Sequence, residues 1–210
     1  MTTFKRSVIA LAAIASFATP ALAGPPLICF PFQTDGGMLV AWGTGPGWNT
    51  PDRSYEIGKL VADTTAVLTA DSPVLTRMEN LRRATIYAMR DPQVAQQLLK
   101  SMMDRALATT TDSRAWFDAG YLIETYKQAA AIREISNPEL RAWAAVDETL
   151  RVDGYNWVKK AMAMTAPDAE MEFAASLMTQ GTISSSHRSK ALAGASKGGV
   201  LARNLAAHDF

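Results

Sequence analysis

Residues 72–108 read SPVLTRMENLRRATIYAMRDPQVAQQLLKSMMDRALA, and this stretch decides the fold. Val74, Met78, Leu81, Thr85 and Met89 recur every three or four positions, and so do Ala95, Leu98, Leu99, Met102 and Ala106. That is the period of an α-helix with one inward face, not the two-residue alternation of a half-buried strand. Ser72-Pro73 and Asp91-Pro92 punctuate the pattern. Each pair places a side-chain acceptor at the N-cap and proline at the first helical position, where its missing N–H costs nothing.

The same punctuation returns at Asn137-Pro138, and Asp112 is placed to cap another start. Helices are predicted over roughly 53–69, 73–89, 92–108, 113–134, 138–163, 168–180 and 187–206. Their inward faces carry Leu60, Val61 and Val67, then Trp116, Gly120 and Ile123, then Leu140, Trp143, Leu150 and Trp157, then Phe173 and Leu177, and last Leu192, Leu201 and Leu205. Short connections make sequential helices antiparallel neighbours. The predicted fold is all-α, a stack of antiparallel helical hairpins with about seven helices over 52–210. Glu79 with Arg83 and Asp147 with Arg151 lie at i,i+4 and read as solvated surface pairs. Glycine inside a helix costs about 1 kcal/mol against alanine. Gly120 and Gly154 therefore predict points where helices approach closely.

Residues 24–51 are different in kind. Pro25, Pro26 and Pro31 favour extended backbone, and Gly36-Gly37 and Gly43-Thr44-Gly45-Pro46-Gly47 mark turns. Leu27, Ile28, Phe30, Phe32, Trp42 and Trp48 are too apolar for a free tail, so the segment should pack along the helices as an extended strap. Met38–Trp42 reads as a short strand without an obvious partner. Residues 1–23 read as a secretory signal peptide: Lys5 and Arg6, a short apolar run from Val8 to Phe17, and Ala21-Leu22-Ala23 as the cleavage signal. The run is too short to span a bilayer, and no later segment offers the roughly 20 apolar residues a spanning helix needs. The expected product is an exported protein, periplasmic or secreted, starting at Gly24 and without a transmembrane anchor.

With 21 basic and 20 acidic residues the chain has no general pull toward nucleic acid. Cys29 is the only cysteine, so no internal disulfide forms. It reads as a small buried hydrophobe, a free thiol for ligand binding or dimerisation, or, against Ile28 before it, a lipidation site.

Trp116-Phe117-Asp118-Ala119-Gly120-Tyr121-Leu122-Ile123 resembles the first helix of a tetratricopeptide repeat, W-x-x-L-G-x-x-Y, with Ala119 and Ile123 in place of Leu and Tyr. That resemblance implies helical-hairpin packing. A leader followed by Gly24-Pro25-Pro26-Leu27-Ile28-Cys29, with Phe117–Leu122 and Met171–Ala175 in a helical body, resembles uncharacterised exported bacterial proteins and implies no activity.

No motif forces a chemistry. Gly194-Ala195-Ser196-Lys197-Gly198 matches the nucleophile elbow G-x-S-x-G, but nothing before it reads as a strand, and Asp209 follows His208, the wrong order for a triad. Gly43–Gly47 is no phosphate loop, because Pro46 lacks the N–H an anion needs. Nothing around Cys29 resembles a thiol-protease signature that would pair it with His187 or His208. His187 reads as part of a polar helix start and His208 as a frayed end. The methionines suit Cu(I) chemically, yet Met102, Met171 and Met178 read as core. No metal or cofactor is implied. Asp118 and Glu124 flank the tyrosines of the fourth helix, and Asp147 sits on an otherwise apolar line, where a neighbour such as Arg151 would pair it.

Stacked hairpins make concave grooves that bind rather than catalyse. The first expectation is a protein- or peptide-binding module using Tyr121, Tyr126, Arg82 and Arg83, residue types that dominate binding hot spots. The second is a small-ligand or copper-binding protein, or an enzyme, centred on Cys29 with Trp42 and Trp48. The third is a structural or stress-related periplasmic protein. Oligomeric state stays open.

Overall fold

A computed structural model describes residues 26–136 and 151–208. A 3₁₀ turn at Ile57–Lys59 leads into α1 (Leu60–Val67), followed by α2 (Val74–Ala88), α3 (Pro92–Ala108) and α4 (Ser113–Ser136). After the gap come α5 (Gly154–Ala163), α6 (Ala169–Met178), α7 (Gly181–Gly194) and α8 (Val200–Ala207). No strand occurs among the described residues. The architecture is all-α, as the periodicity predicts. The 24-residue α4 packs on α2, α3 and α5, and α6 pairs with α7. No helix among the described residues is long and apolar enough to cross a membrane.

Aspartates open four helices. Asp91 accepts from the N–H groups of Gln93 (2.9 Å) and Val94 (3.2 Å), and Asp112 from Arg114 (2.9 Å) and Ala115 (3.1 Å). Asp153 and Asp168 do the same for α5 and α6. Such caps satisfy backbone donors that have no partner within the helix.

Several expected boundaries move, each for a local reason. Ser72 does not cap α2. Its hydroxyl donates to the Val67 carbonyl (2.8 Å), and the cap position falls to Pro73, which has no acceptor to offer. The first helix does not begin at residue 53, because Asp52 accepts from the Ser54 N–H (2.8 Å) and closes a turn there. The stretch 187–206 is two helices, and the second starts after Gly198, which takes φ +73°. The serines read as a polar start lie inside α7, where Ser185 and Ser189 return their hydroxyls to carbonyls one turn back. Residues 1–25, the Asn137-Pro138 start, the Leu140–Leu150 line and Asp147 lie outside the described residues.

The close approach predicted from the glycines is present, although Gly154 begins α5 rather than lying within a helix. A Cβ built on Gly120 would stand 2.6 Å from the Gly154 carbonyl oxygen and 3.0 Å from the Val158 nitrogen. The two backbones are therefore in contact, and Glu124 fastens the crossing by accepting from the Gly154 N–H at 2.8 Å.

Gly120→Ala sets a helix-propensity gain of about 1 kcal/mol against overpacking of about 1–3 kcal/mol. The crowding atoms are backbone, so overpacking wins. The variant should unfold at lower denaturant concentration than the wild type, with unchanged slope.

Candidate functional site

The strap is present, and α2 is what receives it. Every residue of α2 except Arg83 is buried. Main-chain groups of the strap bond to α2 side chains instead of to a neighbouring strand. Asn80 accepts from the Val40 N–H (2.8 Å) and donates to the Met38 carbonyl (3.0 Å), which is how a strand partner would serve Met38–Trp42. Arg83 donates to the Val40 carbonyl (2.8 Å), Tyr87 to that of Ala41 (2.9 Å) and Thr76 to that of Gly36 (3.1 Å). Glu79 accepts from the Phe32 N–H at 3.0 Å.

Arg82 is the centre of this array. Its Nε and Nη2 bond both oxygens of Glu79 at 2.8 and 2.9 Å. Its Nη1 donates to the Ile28 and Trp48 carbonyls at 3.2 and 3.0 Å, tying both ends of the strap to one guanidinium. The expectation of a surface pair at Glu79 and Arg83 is thereby corrected: Glu79 is buried and shared between two arginines.

The expected binding face is corrected with it. Tyr121, Tyr126 and Arg82 are buried, so they form no exposed aromatic–arginine patch, and only Arg83 keeps partial exposure. Tyr126 donates to the Ala95 carbonyl (3.1 Å), joining α4 to α3. The Tyr121 hydroxyl has no hydrogen-bond partner among the described residues. Trp42 lies under the guanidinium groups of Arg82 (5.2 Å to the ring centroid) and Arg83 (5.6 Å), with Tyr87 edge-on to it. Trp48 is half-buried against the core. Cys29 is half-buried, and burial raises its thiol pKa, against the pull of Arg82. It therefore lacks the lowered pKa of a reactive cysteine. Gly43–Gly47 is a turn, closed by the Thr50 hydroxyl on the Gly45 carbonyl (3.1 Å).

The C-terminal helix completes the clasp. Asn204 repeats the device of Asn80, accepting from the Gln33 N–H and donating to the Gln33 carbonyl, both at 2.9 Å. His208 is not frayed. It is buried, stacked on Phe32 at 4.8 Å between ring centroids and met edge-on by Phe173 at 5.5 Å. Its Nδ1 faces the Asn204 carbonyl at 2.8 Å and its Nε2 the Phe30 carbonyl at 3.4 Å.

An open cleft of about 590 Å3 lies where α2, α6 and α8 begin. Its wall includes Val74, Asp168, Glu170, Ser196, Leu201 and the Arg114 side chain of α4. Glu170 supplies the cap that Pro73 cannot, accepting from the Leu75 N–H at 3.1 Å. Burial raises its carboxyl pKa, and the bonds from the start of α2 oppose that rise. Arg114 Nη1 stands 3.8 Å from Asp168, beyond hydrogen-bond reach, and has no hydrogen-bond partner among the described residues. Ser196 lines this cleft with no histidine in the wall, so the G-x-S-x-G match builds no triad there. Cys29, Trp42 and Trp48 are not in the wall either. Among the described residues no group of three His, Cys, Asp or Glu side chains is placed to hold a metal ion.

No known protein family matches the chain, and neither a curated protein nor a solved structure is significantly similar to it.

Burial lowers the pKa of His208 below that of a free histidine, and the charges of Arg188 and Arg82 add to the effect. A depressed folded-state value means that the unfolded chain, with its histidine near about 6.5, binds the proton first as pH falls. The contribution is complete above that value and is lost as pH falls toward the folded pKa. Stability measured by urea unfolding should fall more steeply between pH 7.5 and pH 5 in the wild type than in His208→Phe.

Proposed function

We propose that this is an exported helical binding module, and that it takes a segment of a protein or peptide partner into the cleft between α2, α6 and α8. The leader over residues 1–23 supports the export part of the reading. The tetratricopeptide-like segment at Trp116 fits a hairpin scaffold used for binding.

The observation that carries the reading is the cleft itself. It is open, and it combines apolar wall (Val74, Leu201) with the partly exposed guanidinium-bearing side chain of Arg114. A peptide carboxylate would pair with the Arg114 side chain, and a side chain beside it would cover Val74 and Leu201. Arg82 and Arg83 of the face first expected to bind are taken up by the chain's own strap, and Tyr121 and Tyr126 are buried, so that face is not offered to a partner.

Peptides selected by display on the purified protein test this. They should bind Arg114→Gln about tenfold more weakly, the loss expected for one hydrogen bond to a charged donor. Equal binding to both proteins would remove the cleft from the account. Export is tested separately: N-terminal sequencing of protein recovered from an exporting host should begin at Gly24.

A further inference from the structure

Away from the cleft, three helices bring together a chain of polar side chains. Tyr155 comes from α5, Glu172 from α6 and His187 from α7. The Tyr155 hydroxyl lies 2.7 Å from His187 Nε2. His187 Nδ1 bonds the Glu172 carboxylate. A carboxylate only accepts, so it holds the imidazole proton on Nδ1 and leaves the Nε2 lone pair facing the phenol. This is the order of a nucleophile, a base and a group that orients the base.

The surroundings separate the three roles. His187 is buried, whereas Tyr155 is partly exposed. Burial, followed by the charges of Glu172 and Asp153, raises the Tyr155 pKa. The hydroxyl stays protonated at neutral pH and needs a base at the moment of attack. Two ammonium groups flank the cluster. Lys159 Nζ stands 4.9 Å above the Tyr155 ring, and Lys190 Nζ lies 3.4 Å from Glu172. Both are exposed, which favours an anionic substrate.

We propose that Tyr155 is a nucleophile toward phosphate esters, with His187 as its general base and Glu172 as a positioning residue. In the first step Tyr155 Oη bonds to phosphorus and its proton passes to Nε2. The bond from phosphorus to the ester oxygen breaks, and Nε2 returns the proton to the departing alcohol. In the second step Nε2 takes a proton from water, and the hydroxide bonds to phosphorus. The tyrosine–phosphorus bond then breaks, and Nε2 gives the proton back to the phenolate. The net reaction is hydrolysis of the ester, with no other reactant.

The test labels the full mature chain with a small alkyl fluorophosphonate, which loses fluoride when a nucleophile attacks its phosphorus, and maps the adducts by mass spectrometry. Tyr55 is the internal control: it is also partly exposed, but its hydroxyl donates to Asp63 at 2.7 Å and meets no histidine. Tyr155 should label at least about tenfold faster than Tyr55, and His187→Asn should remove ~100-fold of the Tyr155 rate, the scale of general-base catalysis. Glu172→Gln should slow labelling and move its pH profile, which loss of a merely structural bond would not do. Phenyl phosphate should protect Tyr155. Equal rates at Tyr155 and Tyr55 in the wild type would overturn the proposal without reference to any variant. Wild-type labelling in a folded His187→Asn protein would overturn the role of the base. Failure of phenyl phosphate to protect would overturn the substrate class.

Discussion

The structure depends on how an extended segment with no strand partner keeps its buried main chain hydrogen-bonded. A buried N–H or carbonyl without a partner costs about 1–3 kcal/mol. Leu27, Ile28, Phe32 and Val40 draw the strap inside, and its polar backbone goes with them. Side chains then do what a second strand would have done. Asn80 and Asn204 each serve one N–H and one carbonyl, and Gln128 accepts from the Leu27 N–H at 2.8 Å. Arg82 and Arg83 carry more charge than Glu79 neutralises. Burying such a group is unfavourable unless every donor is used, and the carbonyls of Ile28, Val40 and Trp48 use them. Strap and α2 therefore depend on each other: without the strap, Arg82 loses the Ile28 and Trp48 carbonyls and Arg83 loses that of Val40.

A second buried pair holds the same helix from its other side. Arg77 donates to Asp118 of α4 at 2.6 Å, to the Ser72 carbonyl at 3.1 Å and to the Thr69 carbonyl. Burial pushes the Asp118 carboxyl up to about 6, with Arg77 and Arg105 pulling against it. The guanidinium of Arg77 stays charged at any working pH, and it is fully buried. The pair therefore acts as a unit, and it fixes the α1–α2 connection to the central helix. Ser72 is drawn into this connection, which is why it does not cap α2, and why Glu170 from α6 does.

What the sequence made legible was whatever is set by neighbours along the chain. Asp91-Pro92 and Asp112 cap where they should because an N-cap bond spans only two or three residues. The glycines at 120 and 154 were readable because glycine in or at a helix needs a reason, and contact with another backbone is the usual one. The errors share an opposite cause. Glu79 and Arg83 have the i,i+4 spacing of a surface pair, and Arg82 belongs to a residue type common at interfaces, but nothing in their spacing shows that the strap lies on top of them. His208 looked like an end that frays, because the rings that hold it, Phe30, Phe32 and Phe173, are far away in sequence. Tyr155, Glu172 and His187 come from three helices with no common motif, so composition gave no signal for them.

The same network decides which arginines keep charge to spare. Guanidinium groups attract ligands only through donors left over after folding. Arg77, Arg82 and Arg83 have spent theirs on Asp118, Glu79 and backbone carbonyls, and Arg203 bonds Gln33, Asp35 and the Gly198 carbonyl. Arg114 is in a different position: its side chain is partly exposed and belongs to the wall of an open cleft. The cleft is also tied to the strap. Asp35 and the start of α2 both belong to its wall, so the segment that fills the expected groove helps to shape the one that remains.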